Sequence, residues 1–317
     1  MVFDWLRDIR LQLSGIGFRK VRRLRRVRRR VRPASRSAEA FERRVLLAAP
    51  NPLALSGLNG TNGFRLDGIS GGDAIFGGDG SGYSVSSAGD VNGDGFDDLI
   101  IGAPFADPNG NSGAGESYVV FGASGGFASA IDLSALNGTN GFRLDGIDGG
   151  DFSGRSVSSA GDVNGDGFDD LIIGAADADP DGNSDAGESY VVFGASGGFA
   201  SAIDLSALNG TNGFRIDGID ADDYSGVSVS SAGDVNGDGF DDVIVGARQA
   251  DPDGNINTGE SYVVFGASGG FASAIDLSAL NGSNGFRLDG INTYDLSGDS
   301  VSSGGDVNGD GFDDSTI

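Results

Sequence analysis

Asp90, Asn92, Asp94 and Asp98 fall within one nine-residue segment, Asp90-Val91-Asn92-Gly93-Asp94-Gly95-Phe96-Asp97-Asp98. Counted from Asp90, side-chain oxygens stand at positions 1, 3, 5 and 9, and position 6 is a glycine, where a backbone wrapping a small ion must turn sharply. The three carboxylates, the amide oxygen of Asn92 and the carbonyl of Phe96 can converge on one hard cation. Calcium, which accepts about six to eight oxygens in loose geometry, suits that set better than magnesium, which demands a tight octahedron. The same donors recur at Asp162, Asn164, Asp166, Phe168 and Asp170, at Asp234, Asn236, Asp238, Phe240 and Asp242, and at Asp306, Asn308, Asp310, Phe312 and Asp314. A hairpin turn kept acidic for solubility needs neither three carboxylates in nine residues nor the same set four times. The chain has no His and no Cys, which removes His-dependent and thiolate nucleophiles, thiolate zinc sites and disulfides, so any metal is held by oxygen.

The elements that position these donors are set by a repeat. The motif GDVNGDGFDD begins at Gly89, Gly161, Gly233 and Gly305, a spacing of 72 residues each time. Around it recur GFRLDGI or GFRIDGI (from Gly63, Gly141, Gly213 and Gly285), SVSS (Ser84, Ser156, Ser228, Ser300), LIIGA or VIVGA (Leu99, Leu171, Val243) and GESYVVFGASGG (Gly115, Gly187, Gly259). The first copy carries six extra residues near Ala74–Asp79. Runs such as Leu99-Ile100-Ile101 and Tyr118-Val119-Val120-Phe121, bounded by Gly, Asn and Asp, read as short strands, four to a unit. No sustained helical period is present in the body. Because the apolar runs are continuous rather than alternating, both faces of each small sheet are expected to be buried. Small sheets repeated radially do that, so the fold class is all-β with propeller-type blades of four antiparallel strands. The Asn-Gly pairs at Asn59, Asn137, Asn209 and Asn281 match the N-x-S/T glycosylation pattern, but Asn-Gly is foremost a turn signal and is read as one.

An EF-hand or a dockerin also begins D-x-N-x-D-G, but both need an acid at position 12 and a helix after it. Here position 12 is Ile101, Ile173 and Val245, inside a strand-forming run, so the acidic loop joins two strands. With Ser84–Pro104 reading SVSSAGDVNGDGFDDLIIGAP and Gly115–Gly122 reading GESYVVFG, the body resembles FG-GAP repeats, the blades of the integrin alpha-chain propeller and of many secreted bacterial proteins. The family's Phe-Gly is replaced by Phe152-Ser153-Gly154 and Tyr224-Ser225-Gly226. Its Gly-Ala-Pro survives only at Gly102-Ala103-Pro104, becoming Gly174-Ala175-Ala176 and Gly246-Ala247-Arg248. The resemblance implies calcium at one end of the blades and partner binding through loops, typically in adhesion. It also makes SVSS, LIIGA, YVVF and the following GFRLDGI strands one to four. On that reading the chain holds about three and a half blades, an incomplete ring expected to self-associate or to be part of a longer protein.

Charge divides the chain into a basic leader, 1–50, and an acidic body, 51–317. The leader holds 15 of the 21 Lys and Arg against four acids, a net of +11, while the rest carries 6 basic and 42 acidic groups, a net of -36. The body therefore repels nucleic acid and anionic membrane surfaces. In the leader, Val2, Leu6, Ile9, Leu13 and Ile16, then Val21, Leu24, Val27 and Val31, are spaced for an amphipathic helix with an arginine-rich polar side, suited to an anionic membrane or to the export machinery. No apolar run of about 7–15 residues follows its charges, which argues against a cleaved secretory signal. Phe41-Glu42-Arg43-Arg44-Val45-Leu46-Leu47 resembles the L-E-P-R-x-L-L motif near the start of exported bacterial surface proteins.

The reading favoured by these observations is a non-enzymatic, calcium-binding, secreted or cell-surface bacterial module that binds a protein or glycan. The alternative is an accessory propeller of a secreted hydrolase or lyase acting on polysaccharide. A catalytic carboxylate pair normally occurs once, whereas the acidic clusters here repeat in register. Asp220, Asp222 and Asp223 form the one irregular acidic group. A further cluster, Asp107-Pro108-Asn109-Gly110-Asn111 with counterparts at Asp179 and Asp251, is read as a Pro-Gly surface turn.

Overall fold

The computed structural model describes residues 54–70 and 78–317. The basic leader and most of the insertion in the first copy lie outside the described residues.

Each repeat becomes one antiparallel sheet. In the first unit the strands are Ser84–Gly89, Asp98–Ala103, Glu116–Val120 and Gly141–Asp145, paired in chain order. The second unit uses Ser156–Gly161, Asp170–Ala175, Glu188–Val192 and Gly213–Asp217, and the third Ser225–Gly233, Asp242–Ala247, Glu260–Val264 and Gly285–Asp289. A last pair, Ser302–Gly305 with Asp314–Thr316, begins a further unit. Among the described residues helical structure is limited to three-residue 3-10 turns. The units are propeller-like blades, as the repeat predicts.

One strand per junction was not foreseen. Ala202–Asp204, which belongs to the connection between the third and fourth strands of unit two, pairs in parallel with Gly141–Asp145 of unit one. Ala274–Asp276 does the same for unit two, and Ala130–Asp132 pairs with Arg65–Asp67 ahead of unit one. The outer edges of the first two sheets, which would otherwise offer unpaired N–H and C=O groups, are thereby occupied.

The cores lie between sheets rather than within one. Ile100, Val119, Phe142 and Leu144 of unit one share a cluster with Val157, Leu171, Ile173 and Tyr190 of unit two. Ile172, Val191 and Phe214, on the other face of unit two, pack with Val229, Val243 and Val245 of unit three. Adjacent residues of one strand, Ile172 and Ile173, are both fully buried against different neighbours, which is why the apolar runs are continuous. Val157, Val229 and Val301 are 4–6% exposed where a preceding unit covers them, while their counterpart Val85 is 67% exposed. At roughly 1.5–3 kcal/mol for a fully buried aliphatic side chain, stacking one unit on the next supplies much of the stability of both. Close approach sets residue type at Gly102, where a side chain would meet the Gly154 carbonyl oxygen of the next unit at 1.9 Å.

Candidate metal centres

The acidic segment joins the first strand of a unit to its second, and the pairing of Gly89 with Asp98 fixes both ends of the turn. Its side chains order the backbone between them. Asp90 accepts the N–H of Asp94 on Oδ1 at 3.0 Å and that of Gly95 on Oδ2 at 2.9 Å. Asn92 Oδ1 accepts the same Asp94 N–H at 2.8 Å, which brings the Asp90 and Asn92 oxygens side by side, and Asp94 Oδ1 accepts from Phe96 N at 3.0 Å. Asp162, Asn164 and Asp166 repeat this on Asp166, Gly167 and Phe168. Asp234, Asn236 and Asp238 do so on Asp238, Gly239 and Phe240, and Asp306, Asn308 and Asp310 on Asp310, Gly311 and Phe312.

The ninth-position acid is held differently. Asp98 is fully buried, with Oδ2 accepting from Val91 N at 3.1 Å and Oδ1 from Gly122 N at 2.8 Å. Asp170 bonds Val163 and Gly194 in the same way, and Asp242 bonds Val235 and Gly266. Asp314 accepts from Val307 N at 2.9 Å and from Asn308 Nδ2 at 3.3 Å. Burial pushes these carboxyls up, Asp98 to about 6, Asp170 to about 8 and Asp242 to about 7, with the acids at positions 1 and 5 of each turn adding repulsion and the N–H donors opposing it.

Among the described residues no group of three or more acidic side chains stands close enough to hold an ion. The turn brings Asp90, Asn92 and Asp94 together and keeps Asp98 on backbone N–H groups beneath them. In donor chemistry the residues suit a hard cation: the candidate donors Asp90, Asn92 and Asp94 all offer oxygens on one ordered turn. Among the described residues the carbonyls of Phe96, Phe168, Phe240 and Phe312 accept no hydrogen bond.

A residue passed over in the sequence links one turn to the next. Asp169, just before the ninth-position acid of unit two, accepts the N–H of Asp90 in unit one on Oδ2 at 2.7 Å, and its own N–H donates to the Asp90 carbonyl at 3.4 Å. Asp241 holds Asp162 at 2.8 Å, and Asp313 holds Asp234 at 3.0 Å. The Phe168 ring lies over Gly93, whose φ of +72° and lack of a side chain make room for it, since a Cβ there would sit 2.3 Å from Cε1. Recurrence of the second Asp in GDGFDD was the available signal, but an unpaired surface acid and a bridging one look alike in sequence.

The opposite end of each sheet holds a second repeated group, also missed. Tyr118 donates its hydroxyl to Glu116, Arg143 Nη1 lies 3.5 Å from Glu116 Oε1, and Arg143 Nε and Nη2 bind both oxygens of Asp145. Glu188, Tyr190, Arg215 and Asp217 form the same group, as do Glu260, Tyr262, Arg287 and Asp289. Burial raises the carboxyl of each of these glutamates, and burial beside the carboxylate raises each tyrosine hydroxyl. Of the irregular acids only Asp222 lacks an acidic counterpart one unit earlier, where Gly150 stands; Asp220 matches Asp148, and Asp223 occupies the position of Asp151, the two 7% and 8% exposed, with burial taking both to about 7.

The turn readings stand as expected. Asp107 Oδ1 accepts from Gly113 N at 2.7 Å round a Pro108–Gly110 3-10 turn, and Asp179 accepts from Asp185 N at 2.8 Å. Asn137 Oδ1 accepts from both N and Oγ1 of Thr139, at 3.0 and 2.6 Å, and Asn59, Asn209 and Asn281 repeat it.

The sequence profile of the FG-GAP repeat matches residues 81–120, 153–192 and 225–264, each time spanning a first strand, the acidic turn and the second and third strands. The chain is 32% identical over 190 residues to integrin alpha-PS2 of Drosophila melanogaster, covering 59% of this chain and 12% of that protein. It is 32% identical over 174 residues to integrin alpha-5 of Xenopus laevis, covering 54% and 15%. It is also 30% identical over 204 residues to a phosphatidylinositol-glycan-specific phospholipase D of Bos taurus, covering 63% and 22%. The matched stretch is thus less than a quarter of each of these relatives.

Proposed function

We propose that this chain, which carries three FG-GAP repeats and is similar to integrin alpha chains, is a calcium-stabilised adhesion or interaction module, secreted or displayed at a bacterial cell surface, that binds a protein or glycan through its loops. The observation that carries the cation is the fourfold turn in which Asp90, Asn92 and Asp94, and their counterparts, are aligned by the same N–H groups. Bound calcium would supply the positive charge that offsets their mutual repulsion. The module is non-enzymatic on this reading, since its buried acids recur unit by unit. No helix among the described residues is long and apolar enough to cross a membrane; the basic leader makes the contact with an anionic membrane or the export machinery.

Melting the chain in calcium and in chelator, with calorimetry alongside, tests the cation. A higher melting temperature and measurable heat of binding are expected; coincident melts with no binding heat would sink it. Deleting residues 1–50 should leave the body folded and stop secretion, and secretion at the full-length level would contradict the role given to the leader. A second reading, an accessory module of a secreted hydrolase, is favoured by the similarity to the phospholipase D. Hydrolysis of a glycolipid or polysaccharide by the chain alone would displace both readings.

A further inference from the structure

We propose that the acidic turns bind cations cooperatively, with Asp169, Asp241 and Asp313 as positioning residues that transmit occupancy from one turn to the preceding one. The inference rests on the cation reading above and adds a coupling between turns to it. Asp90 supplies the first donor of its turn, and its backbone is gripped on both N and O by Asp169 of the next unit. Asp169 stands between Phe168, whose carbonyl is a candidate donor of its own turn, and Asp170, which the N–H groups of Val163 and Gly194 hold. Asp170 anchors one side of Asp169 already, so ordering the Phe168 carbonyl on a cation would fix the other side, and with it the acceptor that orients Asp90.

Phe168 forms the second arm of the same link. It belongs to its own turn in the chain, while its ring covers Gly93, between Asn92 and Asp94 of the preceding turn. A third contact, Ala195 N to Val91 O at 2.9 Å, ties the connection after the third strand of unit two to the same turn of unit one. All three contacts recur between units two and three, through Asp241, Phe240 and Ala267. A turn flanked this way is prepared for its ion by the neighbour that has already bound one, which is a coupling free energy between distinct sites and acts on both.

The test follows the amide resonances of Gly95, Gly167 and Gly239 by NMR during titration of the full chain with Ca2+. In the wild type the three are expected to move together with a Hill coefficient above 1. In Asp169→Ala, Gly95 should separate from Gly239 and its midpoint rise by about tenfold, within the range usual for coupled sites. Asp241→Ala should move that effect one unit on, to Gly167. Asp169→Asn, which keeps an acceptor oxygen for the Asp90 N–H, should restore most of the lost affinity. Independent titration of the wild-type sites, or a Gly95 midpoint unchanged in Asp169→Ala, overturns the coupling while leaving the cation reading intact. No shift of any resonance overturns both. Should the alanine variants fail to fold, the wild-type Hill coefficient and the Asp169→Asn curve decide.

Discussion

The Oγ of Ser84 accepts the backbone N–H of Val157 at 3.1 Å, across the boundary between the first two units. Ser156 does the same for Val229 and Ser228 for Val301. Each bond sits beside a valine buried by the same junction, so losing the acceptor strands a half-buried N–H. Ser156→Ala should lower stability by about 1 kcal/mol, read as a lower urea midpoint with unchanged slope. Ser124→Ala, on an exposed loop, should leave the midpoint in place.

Among the described residues the Asp94 side chain hydrogen-bonds only within its own turn, with Phe96 N and Asn92 Nδ2. Asp94→Ala should therefore reduce the calorimetric calcium stoichiometry by one and leave the fold intact. A loss of every site would show that the turns are not separable units.

Tyr190 donates its hydroxyl to a buried glutamate that also faces Arg215. Tyr190→Phe removes the donor and leaves the Glu188 carboxylate short of a partner in a poorly solvated place, a loss of roughly 1–3 kcal/mol. Denaturant unfolding measures it, and a change within error would mean that Arg215 alone satisfies Glu188.

Asp151 and Asp223 give the body a pH dependence whose sign can be worked out. Burial raises each folded-state carboxyl from 3.8 to about 7. The stability contributed by their neutral forms is fully present below the unfolded value and is lost as pH rises through about 7. In chelator, the melting temperature should fall between pH 5 and pH 8, and Asp151→Asn should make that slope shallower. An unchanged slope would place the protonation elsewhere.

Much of the architecture was legible because the units repeat in register. The period, the four strands, their order and the position of the acidic turn all follow from one unit read four times. Burial on both sheet faces was readable at Leu171-Ile172-Ile173 because both neighbours are copies of the same unit. What stayed hidden depends on pairing between units. Ala202-Ile203-Asp204 is too short and too polar to announce a strand, and it exists as one because Arg143-Leu144-Asp145 offers an edge to it. Nothing local to Asp169 sets it apart from the acids around it, because its partner is 79 residues away. Asp98 was read as one more donor, and its position in sequence says nothing of the two backbone N–H groups that occupy it.

The strand that Ala202–Asp204 lays along Gly141–Asp145 changes what a break in the backbone means. Unit two is joined to unit one by the peptide chain through 146–155, but it also reaches back with a segment some fifty residues further on. A protease that nicked this connection at Asp148 and Gly149, its exposed part, would sever the polypeptide without parting the pieces, since the borrowed strand and the apolar layer beneath it still span the cut. The units are interlocked as clasped fingers are, and a single unit lifted out by recombination would leave its neighbour with a missing edge.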